Sequence, residues 1–270
     1  MRNLKFKFLL FAVISSFVFT ACQSKYDKAS KLFEQKEYLE AANLFKEVKS
    51  DDEHYSDAVT KLNLSYYQIG KNYVKKALYD SAKLFLDLVS SSDKIYPKAL
   101  STINFCNGIK AFNNNNLMTA KSCFTKMISD DEFKIEADTK LSFIEEKAKE
   151  QAQSLKSYFQ KANKMSAFSL LDVGNLTDYE YEVNNYTKNL NPADEDIKLF
   201  IDNLKNYLGY KIEYARTYSQ IQNIMDLPAK KLSQLESNMS ACKNAINSIL
   251  RNKGLEIIKA PKRVYIEEGD

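Results

Sequence analysis

Three features of this sequence predict an all-α fold. Only 6 Gly and 4 Pro occur in 270 residues, too few to turn the many strands of a β-rich protein. From Tyr26 onward apolar residues recur at steps of three and four, the stripe of amphipathic helices. Leu232, Leu235, Met239, Cys242, Ile246 and Ile249 add a strict seam at steps of 3, 4, 3, 4 and 3, the spacing of long packed helices.

The chain opens differently. Arg2, Lys5 and Lys7 precede an apolar run from Phe8 to Phe19 that holds only Ser15 and Ser16, and small residues then lead to Cys22. Basic, apolar and small, in that order, is a secretory signal, and the run is shorter than the about 20 apolar residues of a membrane-spanning helix. Phe19-Thr20-Ala21-Cys22 resembles the lipobox of bacterial lipoproteins, with Phe19 standing where leucine is usual. The resemblance implies a signal peptide over residues 1–21, diacylation of the Cys22 thiol with palmitate-like chains, and a mature chain held on a bilayer of the cell envelope. Gln23, rather than aspartate, fits outer-membrane sorting; which leaflet carries the anchor stays open.

Without Arg2, Lys5 and Lys7 the 39 Lys+Arg fall to 36, against 35 Asp+Glu. A near-neutral chain offers nucleic acid no basic footprint. Beyond Cys22 the cysteines are Cys106, Cys123 and Cys242. An odd set without a close pair reads as small apolar residues, with a Cys106–Cys123 disulfide left open.

Residues 22–131 read as about three helical hairpins. Tyr38-x-x-Ala41-x-x-x-Phe45-x-x-Val48 is echoed by Tyr79-x-x-Ala82-x-x-x-Leu86-x-x-Val89 and by Leu117-x-x-Ala120-x-x-x-Phe124-x-x-Met127. A small alanine permits close helix crossing, and large residues one turn away fill the gap. Turns are expected at Gln35-Lys36-Glu37, at Gly70-Lys71-Asn72 and over Asn113–Asn116, with capping signals at Ser50-x-x-Glu53 and Ser92-Asp93. These units resemble the tetratricopeptide repeat, a 34-residue helix–turn–helix that stacks into a solenoid. Here the second helices recur at 41 and 38 residues, which a longer second helix from Tyr73 would absorb. With Leu62-x-Leu64-Ser65-Tyr66-Tyr67 and Tyr96-Pro97, the region distantly resembles the tetratricopeptide lipoprotein of the outer-membrane β-barrel assembly machinery.

Residues 132–252 predict long antiparallel helices. A stripe through Leu141, Ile144, Ala148, Ala152, Leu155, Phe159 and Ala162 is expected to break at Val173-Gly174-Asn175, with a short helix capped by Thr177. Asn191-Pro192 is expected to start the next helix, Asp226-Leu227-Pro228 to bend the chain, and Gly254 to end the last helix. In the tail, residues 253–270, Ile257-Ile258 and Val264-Tyr265-Ile266 are strand-like; the tail either docks or stays mobile.

No motif asks for an enzyme. The single histidine, His54, lies in Asp51-Asp52-Glu53-His54-x-x-Asp57, which reads as an acidic helix start rather than a metal or Ser–His–acid site. Phosphate loops, Cys-x-x-Cys and Gly-x-Ser-x-Gly elbows are absent from the sequence. No catalytic residue, metal or small-molecule cofactor is therefore expected. The resemblance to tetratricopeptide arrays implies a concave groove lined by first helices, which places Phe33, Tyr67, Lys71, Phe105 and Phe112 as candidates for holding a partner, against the alternative that they fill seams between repeats. The expected function is a membrane-anchored, non-enzymatic protein-interaction scaffold whose partners are the bilayer, through acylated Cys22, and envelope or membrane proteins. The alternative is a surface or periplasmic lipoprotein capturing a small molecule, glycan or host component.

Overall fold

The computed structural model describes residues 24–221 and 228–259. The signal segment 1–21, Cys22, the Asp226-Leu227 part of the expected bend and Val264-Tyr265-Ile266 lie outside the described residues. Among those described there are ten α-helices and no strand, as an all-α fold requires. They are α1 Lys25–Glu34, α2 Tyr38–Phe45, α3 Tyr55–Lys75, α4 Tyr79–Leu86, α5 Tyr96–Asn113, α6 Leu117–Thr125, α7 Lys134–Lys164, α8 Leu170–Lys188, α9 Glu195–Ser219 and α10 Ala229–Asn252. None is long and apolar enough to cross a membrane. The chain forms two compact units with interleaved limits: residues up to Lys110 with Lys126–Lys134, and Ala111–Thr125 with the residues from Ile135 onward. Ala111–Thr125, expected to belong with the hairpins, thus groups with the long helices.

In the first unit α1 packs on α2, α2 on α3, and α3 on α4. Ser24 caps α1 through a capping box with Asp27, which satisfies backbone N–H groups at both ends of the box. Ala41, Phe45 and Val48 of the first motif are buried, as are Ala82, Leu86 and Val89 of the second.

Each hairpin turns in the same way. At Lys36 and Ala77 the backbone enters the left-handed region, with φ of 65° and 57°. Lys36 N donates to Phe33 O and Glu37 N to Leu32 O; Ala77 N donates to Val74 O and Leu78 N to Tyr73 O. In the second unit Asn115, with φ 57°, repeats both bonds to Phe112 O and, from Asn116 N, to Ala111 O. This is the Schellman ending, which ties off the last free carbonyls of a helix. Each left-handed residue sits five positions before the motif alanine, at 41, 82 and 120.

The expected second turn at Gly70-Lys71-Asn72 is corrected. α3 runs through it, and the turn falls at Ala77. Gly70 serves packing instead: a Cβ there would lie 2.5 Å from Leu86 Cγ and 3.2 Å from Ala82 O. The extra length over the 34-residue period therefore enters the first helices, not the second. α3 and α5 have 21 and 18 residues against 10 in α1, whereas α2, α4 and α6 have 8, 8 and 9.

Between hairpins the chain is held by an aspartate eleven residues after each motif alanine. Asp52 Oδ1 accepts from His54 N, Asp93 Oδ1 from Ile95 N and Asp131 Oδ1 from Phe133 N, at 2.8, 2.9 and 2.9 Å. The first helices α3 and α5 grip the second and third of these turns. Asn63 Nδ2 donates to Asp93 Oδ2 and Ser90 N to Asn63 Oδ1, while Ile128 N donates to Ser101 Oγ and Thr102 Oγ1 to Asp131 Oδ2. The expected Ser50–Glu53 capping signal is replaced by this Asp52 bond, and α3 begins at Tyr55 without a side-chain cap.

In the second unit α7 buries the predicted stripe of Ile144, Ala148, Ala152, Leu155, Phe159 and Ala162. It is antiparallel to α8, as the Lys161–Glu182 and Tyr158–Tyr186 pairs require. The break expected at Val173-Gly174-Asn175 instead comes between Lys164 and Ser169. Ser169 and Asp172 form a capping box there, and the Asp172 carboxylate also accepts from Phe168 N and Ser166 Oγ. α8 runs straight through Gly174, an open position whose cost is only about 1 kcal/mol. Thr177 bonds back to Val173 O inside the helix and caps nothing.

The helix start expected at Asn191-Pro192 moves to Glu195. Gln151 takes the polar groups of that segment, donating to Asn191 O at 2.7 Å and accepting from Ala193 N at 2.8 Å. Asp194 then caps α9, its Oδ1 accepting from Ile197 N at 3.1 Å. α9 and α10 are antiparallel, with Lys253 against Asp194 and Asp196 at one end and Lys231 against Glu213 near the other. The a/d seam is buried at Leu232, Leu235, Cys242, Ile246 and Ile249. Gly254, φ 67°, closes α10 with the same Schellman pair of bonds. Beyond it the tail docks as far as Ile258, because Asn247 accepts from Ile258 N at 2.9 Å and donates to Ile258 O at 3.1 Å.

Two substitutions about two turns apart should act with opposite signs. Gly70→Ala improves helix propensity by about 1 kcal/mol but forces Leu86 and the Ala82 carbonyl apart, a cost of about 1–3 kcal/mol, so a net loss of stability is expected. Ala77→Gly removes the Cβ penalty of a left-handed residue and should stabilise by about 0.5–1 kcal/mol. Urea unfolding of both variants reads the two signs.

Candidate functional site

The five groove candidates can be placed one by one. Phe33 is half-buried against the Ala29, Ala41 and Phe45 cluster, edge-on to Tyr38 at 5.4 Å between ring centroids. Tyr67 is 5% exposed, and burial and the Asp131 charge push its phenol up to about 12 despite a hydrogen bond with Thr102. Lys71 lies over the Tyr67 ring at 5.2 Å and pairs with Glu132 at 2.5 Å. Burial lifts the Glu132 carboxyl, but the Lys71 hydrogen bond and the Lys71 and Lys75 charges outweigh it, holding it below the usual range. Phe105 is 1% exposed and stacks on Phe133 at 5.0 Å. In the second unit Phe112 is half-buried, edge-on to Phe143 at 5.5 Å, with the Lys140 ammonium 4.9 Å above its ring.

Tyr67 and Lys71 are thus brought together, but the Tyr67 and Phe105 rings are used up within their own unit. The cause is the aspartate turn. Tyr26 is stacked by His54 at 4.3 Å and Phe105 by Phe133 at 5.0 Å. Both covering residues lie two positions after a turn aspartate, whose Oδ1 takes their N–H.

His54 precedes Tyr55 at the start of α3, its ring flat on Tyr26. Around Tyr26 lie Asp57 and Lys61: the Tyr26 hydroxyl bonds Asp57, while Lys61 Nζ donates to Tyr26 Oη at 2.9 Å and to Ser30 Oγ at 3.2 Å. The Tyr26 and Lys61 bonds hold the Asp57 carboxyl below its ordinary range. These groups satisfy one another. Among the described residues no three His, Cys, Asp or Glu side chains gather to hold a metal. Cys106 and Cys242 are buried free thiols, and burial pushes Cys106 up to about 12.

Sequence reasoning passed over two features of the second unit. The first is apolar exposure at the start of α8. Phe168, Leu170 and Leu171 are 60%, 73% and 74% exposed, and Phe168 lies 5.2 Å from the Tyr218 ring and 6.4 Å from Tyr214. Ser169-x-x-Asp172, a capping box set among apolar residues, was the available signal. The second is Lys211, buried on α9, whose Nζ donates to Ala162 O at 2.7 Å and Asn163 O at 3.2 Å. It closes the carbonyl end of α7, where a cation is favoured by the helix dipole. No family model matches the chain, and comparison with curated proteins and with solved structures returns no significant match.

Burial lowers the Lys211 ammonium to about 8 from 10.5, with Asp172 opposing. Between those values the unfolded chain binds more protons than the folded one, so this group makes stability rise with pH from about 8 to 10.5. Lys211→Met abolishes that contribution. The stability of the native chain minus that of the variant should increase from pH 8 toward 10, by up to about 1.4 kcal/mol per pH unit.

Proposed function

We propose that this chain is a membrane-anchored lipoprotein of the bacterial cell envelope that acts as a non-enzymatic scaffold for other proteins, built on tetratricopeptide-like hairpins. The observation that carries this reading is the recurrence, in one register, of the same three devices. A left-handed turn stands at 36, 77 and 115, a buried alanine at 41, 82 and 120, and a turn aspartate at 52, 93 and 131. Repeating hairpins of this kind cannot bury their apolar faces alone and stack into extended surfaces on which other chains dock. Envelope assembly, including that of outer-membrane proteins, is the process to which the sequence resemblance points.

In this reading the contact surface does not include Tyr67 and Phe105, which are buried within the first unit. Phe168, Leu170, Leu171 and Tyr218 form the exposed apolar group of a kind that marks protein contacts. The lipobox-like Cys22 supplies attachment, and helix α1 begins at Lys25, three residues beyond it. A link of that length spans on the order of 10 Å, so the first hairpin works at the bilayer and its partners are proteins in or on that membrane.

Two measurements test this. Cys22→Ser should move the protein from the membrane to the soluble fraction, and continued membrane retention would refute the anchor. Mild-detergent affinity capture should recover envelope proteins in stoichiometric amount with the native chain. The paired change Phe168→Ser with Leu171→Ser, at exposed positions, should reduce that recovery about tenfold or more while leaving the far-UV spectrum intact. Recovery of the lipoprotein alone by the native chain would contradict the scaffold role.

A further inference from the structure

Four charged side chains are buried among the described residues: Asp131, Lys156, Asp194 and Lys211. A charge removed from water is retained only where paired or hydrogen-bonded, and three of the four obey. Asp131 accepts from Phe133 N and Thr102 Oγ1, Asp194 from Lys121 and Lys253, and Lys211 donates to two carbonyls. Lys156 differs in kind, with a buried stem and an ammonium that reaches solvent. It is 8% exposed, and no hydrogen-bond or ion-pair partner is found for it among the described residues. Its ammonium is not sealed from solvent either, since the one sealed and unpartnered side-chain atom found there is Thr217 Oγ1.

Lys156 lines a cleft of about 260 Å³ in the second unit, together with Asn163 and Lys164 of α7 and Glu256, Ile258 and Lys259 of the docked tail. Three lysines face one glutamate, so the cleft is cationic. Asn163 Oδ1 already accepts from Tyr207 Oη at 3.1 Å, which leaves its amide nitrogen as the donor. The tail wall is fixed in place, because both backbone polar groups of Ile258 are held by the buried Asn247. A preformed cationic cleft into which the buried Lys156 stem delivers an ammonium with no partner among the described residues, beside an amide donor, suits a small oxyanion.

We propose that this cleft binds a phosphate group, with the Lys156 ammonium as the cation at its inner wall and Lys164, Lys259 and the Asn163 amide nitrogen closing on the remaining oxygens. This goes beyond the scaffold role and does not depend on it. The same chemistry is offered by free inorganic phosphate and by the headgroup of an anionic phospholipid, and the two sources are separable.

The experiment uses the full chain from residue 22 with Cys22→Ser, so that no acyl chain contributes. Calorimetric titration with inorganic phosphate, in a buffer free of other oxyanions, should give saturable binding at one site. Lys156→Met, which keeps the buried stem, should weaken it about ten- to a hundredfold, the range of a charge-assisted hydrogen bond. Lys156→Arg should retain part of the affinity, and Lys164→Gln, at an exposed position, should weaken it without touching the core. Co-sedimentation with phosphatidylglycerol vesicles, absent with phosphatidylcholine alone and competed by phosphate, would identify the headgroup as the source. Phosphate binding without vesicle retention would identify a soluble phosphate. No saturable binding of either probe, or equal binding by a folded Lys156→Met, would overturn the assignment.

Discussion

The first unit depends on one interaction: an aspartate at the end of a hairpin, gripped by the first helix of that hairpin. Asp93 is held by Asn63, and Asp131 by Thr102, across 30 and 29 residues of chain. Each carboxylate also takes the backbone N–H two residues on, so one side chain fixes both the turn and the direction of the next helix. Asn63 is buried, and its carbonyl takes Ser90 N as well. Polar groups bonded on every side in a low-dielectric setting specify a geometry more sharply than apolar contact does.

That constraint explains why the aromatic groove expected from the tetratricopeptide resemblance is closed at Tyr67 and Phe105. The turns at Asp52 and Asp131 lead into the long α3 and α7, and the residue two positions after each aspartate reaches back over a preceding ring. His54 on Tyr26 and Phe133 on Phe105 are two cases of one arrangement. Under the proposed roles, recognition would use surfaces outside these first helices: the exposed apolar start of α8 and the lysine-lined cleft beside Lys156.

Much of this fold was legible in the sequence, for a physical reason. Where one stripe of a helix must be buried, spacing alone reports it, and the Ala41, Ala82 and Ala120 motifs, the α7 stripe and the α10 seam all lie where their periods put them. Glycine and proline misled, because their local preferences can be overridden. Gly70 is small for the sake of Leu86, Gly174 is merely exposed, and Asn191-Pro192 is taken by Gln151 before a helix can start. The turns at Lys36, Ala77 and Asn115 carry no glycine; the first and third fall within the expected Gln35-Lys36-Glu37 and Asn113–Asn116 turns, but at Ala77 only the constant five-residue offset from the alanine announces the turn. The site was less legible. Whether Tyr67 lines a groove or fills a core depends on Thr102 and Asp131, which lie 35 and 64 positions away. That Lys156 has no partner among the described residues leaves no mark in the local pattern at all.

The grip of Asn63 on Asp93 can be measured by itself. A double-mutant cycle with Asn63→Ala, Asp93→Ala and the pair, followed by urea unfolding, isolates the coupling between the two residues. A coupling of about 1 kcal/mol or more is expected for a buried amide bonded to a carboxylate. Additivity within about 0.5 kcal/mol would contradict the view that the aspartate turns hold the hairpins in register.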